Sequence, residues 1–471
     1  MKKSVLKSDW AYVIFFILVL LSRIPFLFQG FGLDADSWGV ALSARSMSYH
    51  MVYEASRFPG YPVHELLCTL AGGESYFLSN FLTAFISSLG ILFFALTLKA
   101  LRFKYIFLAS AALAAVPVVY INSIITIDYT LALAFILIGL YFAIKNQPVL
   151  AGFFLGIAIG CRITSGAMLL PFAIMIARND GFHSNLVRIL KLMFATMVIG
   201  LLFYIPAYIQ YGFSFLTYYD TTYPEISRIL YKLSFDVWGT VGFVGLLLAT
   251  GMLFLPDRIT AHKFLFPRSV NEKYVVAWLI AIDLYIVAFL KLPLEAGYLI
   301  PIIPFVILIF GKYLYDKAFI VFSVLLIISP FIISISPKDR PDSASFSSFS
   351  KETNFGNERL VIDLLNGPIF SYESRRQHAV KNMDSLILKL NGLENLSLII
   401  SGKWYNQIQF EKEKKLDNVN VSLVDYINEE SLLRYLENGY DIYFLPREDE
   451  FNLQKYHYDL KEYEGILMTF N

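Results

Sequence analysis

Asp34-Ala-Asp36-Ser-Trp-Gly39 and Arg57-Phe-Pro-Gly-Tyr-Pro62 stand in one long polar gap between the first two apolar runs of the chain. The gap extends from Gly30 to Glu74 and holds five acids (Asp34, Asp36, Glu54, Glu65, Glu74) and two arginines, Arg45 and Arg57. Two membrane helices can be joined by a handful of residues. A connection this long, with carboxylates and a rigid Pro-Gly-Tyr-Pro turn, reads as a functional loop. The stretch 30–75 is therefore the first outer loop and the expected seat of the chemistry.

The composition around this gap is that of a membrane protein. Hydrophobic residues make up 56% and charged residues 16% of the 471 positions, with 42 Phe and 30 Tyr; the mean hydropathy is +0.56. A soluble chain of this length cannot bury so much apolar surface. The net charge of +1 implies no nucleic-acid partner, and no basic stripe with interleaved aromatics points to one. The two cysteines, Cys68 and Cys161, form no Cys-x-x-Cys metal motif and no disulfide framework. The N-terminal lysines and apolar run resemble a signal peptide, but the run is long and no small-x-small site follows, so it is expected to stay as a span.

Runs long enough to cross a bilayer, about 17–25 residues each, lie near 11–29, 76–98, 105–122, 127–144, 186–209, 236–255, 275–291 and 318–335. Shorter runs occupy 149–161, 163–177 and 297–310, giving an α-helical polytopic domain over 1–336 with about 11 helices. With the N-terminus in the cytoplasm, Lys99, Lys104, Lys145, Arg178, Arg188, Lys273 and Lys312 fall on the inner side. The acidic loop, Asp128, Arg162, the tyrosine-rich 218–225 loop and Glu295 then face outward. A Ser-rich linker is expected over 337–358, followed by a small extracytoplasmic α/β domain over 359–471. In that domain 396–400, 419–424 and 442–445 read as strands, and 429–438 reads as a helix ended by Gly439.

Asp34 and Asp36 are two residues apart, so in an extended segment both carboxylates face one side. There they can deprotonate an acceptor hydroxyl, or ligate a hard divalent cation through oxygen. The plainer alternative is that Asp36 or Ser37 caps a helix over 38–49. Arg57 and Arg45 are suited to gripping a lipid phosphate bidentately, although solvated or headgroup-facing arginine is the common case. Arg162 sits at the apex of a short hairpin behind Gly152, Gly156 and Gly160, whose spacing permits close helix approach. A cation held at that depth reads as a further phosphate contact, with a snorkelling structural arginine as the plainer alternative. Asp128 reads as a cap of the following helix, and Asp283, in mid-span, as one of a buried pair. Glu295-Ala-Gly-Tyr298-Leu-Ile-Pro301 begins a proline-interrupted helix of the kind that lines cavities.

At these residues the chain resembles the GT-C superfamily of polyprenyl-phosphate-sugar-dependent glycosyltransferases, with its protein O-mannosyltransferase-like and lipopolysaccharide-core-transferase-like branches most similar. The family places an aspartate after the first span, then a short helix with Arg and Met; Asp36-Ser-Trp-Gly-Val-Ala-Leu-Ser-Ala-Arg45-Ser-Met47 resembles that arrangement. Arg57-Phe-Pro-Gly-Tyr61-Pro62 resembles a Pro-Pro-Gly-Tyr-Pro segment with Phe58 at its first proline. The Gly156–Pro171 run, with Arg162 and Thr164, is similar to the family's glycine-rich hairpin ending in a basic residue. The Glu295–Pro304 stretch resembles its Glu-Arg-Tyr-Leu-x-Pro-x-x-Pro pattern without the arginine. The resemblance covers about residues 10–335 and implies a GT-C-like membrane fold. It implies Asp36, with Asp34, as catalytic carboxylates. Arg57, Arg162 and Arg45 would bind the donor phosphate, and Tyr61, Glu295 and Tyr298 the sugar cavity.

The function these readings lead to is an inverting transfer of a sugar from a polyprenyl-phosphate donor to a hydroxyl of a glycan, lipid or protein acceptor on the outer face. The rivals are a lipid-linked glycan flippase, for which no paired internal repeats are seen, and a polysaccharide polymerase or ligase, whose long functional loop comes late in the chain.

Overall fold

The computed structural model of the chain describes residues 2–178, 180–216, 223–254, 272–337, 349–355, 358–445 and 467–469. Helix α1 (Lys2–Arg23) gives way at Pro25 to a 3₁₀ turn. The polar gap then folds into two helices, α2 (Ala35–His50) and α3 (Pro62–Leu70). Next comes α4 (Tyr76–Ala100), started by Ser75, whose hydroxyl accepts from the Leu78 amide. The run at 105–122 is broken by Pro117 into α5 (Ile106–Ala115) and α6 (Pro117–Asn122). Proline holds Val116 in an extended conformation (φ −54°, ψ 127°) and starts the second piece.

Helices α7 (Tyr129–Ile144), α8 (Pro148–Cys161), α9 (Leu169–Ile176) and α10 (Phe182–Tyr211) follow. A 3₁₀ turn over Ile163–Met168 separates α8 from α9. Gly152 and Gly156 allow the close approach the sequence implies, but toward α10 instead of the other arm of the hairpin. A Cβ at Gly152 would lie 2.4 Å from the Leu192 carbonyl oxygen, and one at Gly156 2.6 Å from Ile199 Cβ.

The remaining helices of this part are α11 (Ile226–Tyr231), α12 (Val237–Leu253), α13 (Glu272–Lys291), α14 (Ile303–Tyr313) and α15 (Asp316–Ile328). Among the described residues five helical segments are long and apolar enough to cross a bilayer: Tyr76–Ala100, Phe182–Leu216, Ile226–Leu253, Glu272–Lys291 and Ala296–Tyr313. Shorter apolar helices fill the spaces between them. The run read as a span over 318–335 stops at Ile328 and enters a strand at Ser334. Asp283, expected in a buried pair, is instead exposed on α13.

The basic connections gather at one end, where Lys104 pairs with Asp316, Lys312 approaches Glu272 and Lys273 reaches the Ala177 carbonyl. The polar gap, Asp128, Arg162 and Glu295 meet at the other.

Strands β1 (Ser334–Pro337), β2 (Ser350–Phe355) and β3 (Glu358–Asp363) form an antiparallel sheet in the order β1-β3-β2. Strand β2 thus lies within the stretch read as a Ser-rich linker; residues 338–348 of that stretch lie outside the described residues. After α16 (Pro368–Asn391) come β4 (Ser397–Ile400), α17 (Tyr405–Lys415), β5 (Val421–Val424), α18 (Glu429–Glu437), β6 (Asp441–Phe444) and β7 (Leu467–Thr469). These strands pair in parallel in the order β5-β4-β6-β7. Every residue of β4 is buried, as expected for a strand covered by helices on both faces.

This C-terminal unit rests on the polar gap. Arg376, fully buried, donates to the carbonyl oxygens of Phe26 (3.0 Å), Gln29 (2.8 Å) and Gly30 (3.0 Å). Phe410 of α17 packs edge-on against Phe31 and Trp38.

Candidate active site

Helix α2 decides the fate of the two aspartates. Asp34 is its N-cap residue, in extended geometry (φ −77°, ψ 139°), and its side chain makes no capping bond. Asp36 lies in the first helical turn, where the helix dipole favours a carboxylate. The segment is therefore not extended at Asp36, and the two carboxylates do not share a pocket. Asp34 lines a cavity of about 280 Å³. Asp36 turns to Arg57 instead. Neither residue is spent on the helix cap.

From Asp36 an alternating chain of charges runs inward. Arg57 Nη1 pairs with Asp36, and its Nη2 lies 3.2 Å from Asp128 Oδ1; Asp128 Oδ2 pairs in turn with Arg162 Nη1. Side-chain exposure falls from 41% at Asp36 through 16% at Arg57 to 2% at Asp128 and 8% at Arg162. Asp128, read as a helix cap, makes no capping bond and serves as the carboxylate between two guanidinium groups. A carboxylate this deeply desolvated needs such partners to stay charged. Burial opposes the charge on Arg57, yet Asp36, Tyr61 and Asp128 hold its pKa well above the ordinary arginine value.

Three tyrosines enclose the inner end. The Arg162 guanidinium lies 4.0 Å from the ring centre of Tyr129, 4.6 Å from Tyr298 and 5.6 Å from Tyr61. Tyr61 also accepts a hydrogen bond from Arg57 Nε at 3.1 Å, with that guanidinium 4.3 Å from its ring centre.

The segment that presents Arg57 and Tyr61 is held by Glu65, whose importance the sequence does not reveal. Fully buried, its carboxylate accepts from the Tyr53 hydroxyl (2.5 Å), the Ser56 amide (2.8 Å), the Ser56 hydroxyl (2.6 Å) and the Tyr61 amide (3.1 Å). Burial raises its pKa, partly countered by the bonds from Ser56 and Tyr53. Gly60 has φ +91°, and a Cβ there would lie 2.6 Å from the Tyr53 hydroxyl, so the turn requires glycine. Next to Glu65, His64 is fully buried, and burial pushes its pKa down to about 4, leaving it neutral.

Arg45 does not join this cluster. Its Nε lies 2.7 Å from Glu74 Oε1, its Nη1 donates to the Phe410 carbonyl at 3.0 Å, and its guanidinium stacks 3.6 Å over the Phe410 ring. It lies on the α2 face that receives α17, and it fastens the C-terminal unit to α2. Glu295 lines the 280 Å³ cavity with Asp34, Tyr129, Lys232 and Arg375, and stands 3.6 Å from Lys232 Nζ. Tyr298 packs edge-on against Tyr129. Of the tyrosine-rich 218–225 loop, residues 218–222 lie outside the described residues. Among the described residues no group of three or more His, Cys, Asp or Glu is arranged to hold a metal ion.

Beside the charged chain, an apolar groove of about 550 Å³ opens between α8, the 163–168 turn, α9 and α10. Ile159, Ile163, Leu169, Met197 and Tyr204 line it. Tyr204 joins this groove to the Arg57 loop, its hydroxyl donating to the carbonyl oxygens of Gly60 and Ile159, each at 3.3 Å.

No family model and no curated protein sequence matches the chain. Among the solved structures to which the chain is similar are two of one protein. ArnT from Cupriavidus metallidurans in the apo state is 16% identical over 68% of this chain and 60% of that one, with a TM-score of 0.43. This chain therefore spans less than two thirds of that structure's length. ArnT from the same organism bound to undecaprenyl phosphate is 13% identical over 87% of this chain and 85% of that one, with a TM-score of 0.48.

Proposed function

We propose that the chain is a membrane glycosyltransferase of about 11 crossings that moves a sugar from a polyprenyl-phosphate donor to an acceptor hydroxyl. The observation that carries this reading is the charge chain Asp36–Arg57–Asp128–Arg162, whose Arg57 loop is joined through Tyr204 to an apolar groove. The lipid tail lies in the groove, which brings the phosphate to Arg57 and the sugar into the space bounded by Tyr61, Tyr298 and Glu295. Asp36 takes the proton of the acceptor hydroxyl as its oxygen attacks the anomeric carbon from the face opposite the phosphate. The anomeric carbon–oxygen bond breaks with its electron pair leaving on the lipid phosphate, where Arg57 stabilises the developing charge. Arg162, caged by tyrosines and paired with Asp128, positions Arg57 and supplies the field behind it. The alternation of Lys and Arg supports an N-terminus in the cytoplasm, with the site and C-terminal unit outside.

The test is to reconstitute the full chain in liposomes and supply polyprenyl-phosphate sugars labelled in the sugar. Transfer of label to an added glycan, lipid or protein hydroxyl, with release of polyprenyl phosphate, is expected. Movement of intact labelled donor across the bilayer without release would refute transfer and establish a flippase.

A further inference from the structure

A second groove, of about 410 Å³, runs between α2 and α17, where the polar loop meets the C-terminal unit. That size lies within the range of about 300–1,000 Å³ typical of small-ligand sites. Its floor is the face of α2 carrying Gly39, Ser43 and Ser46, and its wall is Tyr405, Asn406 and Gln409 of α17. Asp36 precedes Gly39 by three residues, so at helical spacing it stands on the same side of α2, about one turn before the first residue of the lining. There Asn406 Nδ2 donates to the Ala35 carbonyl at 3.0 Å, and a Cβ at residue 39 would come within 3.0 Å of it.

The chemistry of the lining selects the ligand. Tyr49, 70% exposed, and Tyr405 offer aromatic faces. Ser46, Asn406 and Gln409 offer hydroxyl and amide groups, with Gln409 Nε2 donating to the Tyr405 hydroxyl at 2.9 Å. The one arginine in the lining, Arg45, has 3% side-chain exposure and is committed to Glu74 and Phe410. An anionic headgroup would thus meet Glu54 and no accessible guanidinium, with the exposed His50 imidazole the other ionisable side chain of the lining besides the tyrosines. Aromatic faces beside neutral amides and hydroxyls suit a saccharide, whose C–H faces stack while its hydroxyls hydrogen-bond.

We infer that this groove between α2 and α17 binds a neutral oligosaccharide, and that the bound chain delivers its terminal hydroxyl to Asp36. The second part rests on the transfer reading; the ligand class does not.

The test uses the full chain in detergent with maltotetraose, chitotetraose and mannotetraose as probes, followed by saturation-transfer NMR. Undecaprenyl phosphate binding is measured on the same samples. At least one tetrasaccharide is expected to bind. Ser46→Trp, which fills the groove, and Gln409→Leu, which removes its amide at similar size, are each expected to weaken it about tenfold or more without altering lipid-phosphate binding. If Ser46→Trp fails to fold, Gln409→Leu decides alone. Binding of none of the three sugars, unchanged binding in the folded variants, or displacement of the sugar by a Ser/Thr-rich peptide that binds more tightly would overturn the inference. Loss of lipid-phosphate binding by the wild type would count against the transfer reading and leave the saccharide site standing.

Discussion

Asp36→Asn separates the catalytic role of this carboxylate from every structural one. The substitution keeps size and polarity and removes only the ability to accept a proton and carry a charge. Asp36 lies in the first turn of α2 and is not its N-cap residue, and asparagine would cap as well as aspartate in any case. Its ion pair with Arg57 is 41% exposed on the aspartate side, so solvent screening limits the loss in stability to about 1 kcal/mol or less. Arg57 keeps its second partner, Asp128. A lost general base, in contrast, lowers the rate about 10²–10⁴-fold, which is roughly 3–5 kcal/mol of barrier at 1.36 kcal/mol per decade. The kinetic effect should therefore exceed the stability effect several-fold. The assay is label transfer in proteoliposomes alongside thermal denaturation of the same preparation. Asp34→Asn serves as the comparison, and its loss should be smaller because Asp36 pairs with Arg57 while Asp34 lines the 280 Å³ cavity. Full transfer by Asp36→Asn would refute the general-base assignment. Equal loss in both variants would point to a shared metal ion or a coupled pair.

Asp128→Asn is expected to behave in the opposite way, because it strands Arg162 and half-strands Arg57 in a buried setting. Breaking such a pair typically costs about 3–5 kcal/mol, so a marked fall in melting temperature and yield should appear; a wild-type melting curve would show that the charge chain does not support the fold. Glu65→Gln tests the buried carboxylate through pH. The folded-state pKa of Glu65 is raised by burial, so its contribution is fully present below the unfolded value of about 4.3 and is lost as pH rises through the folded value. The wild type should lose stability over that window while Glu65→Gln stays flatter in melts from about pH 4 to about pH 8; parallel slopes would refute the shift.

The membrane class, the polar loop and much of the C-terminal strand–helix–strand order follow from the sequence because each is a local property. Apolar runs of bilayer length report their surroundings directly, and Gly439, at φ +77°, ends α18 as its position in the sequence indicates. The stretch after 334 carries a weaker signal: β2 is polar and edge-placed, so it has no apolar alternation to mark it. Which residues become partners is set by packing between distant parts of the chain. The same glycine spacing serves either neighbour of α8, and only packing chose α10. Arg45 and Arg57 are both lone arginines in one loop. One meets Glu74 and Phe410, the other Asp36 and Asp128, because α2 turns Arg45 toward α17 while the Glu65-anchored loop turns Arg57 inward. Asp34 and Asp36, two residues apart, diverge because a helix begins between them. A charge's partner is set by direction and burial across long sequence separations, and no local pattern of residues encodes either.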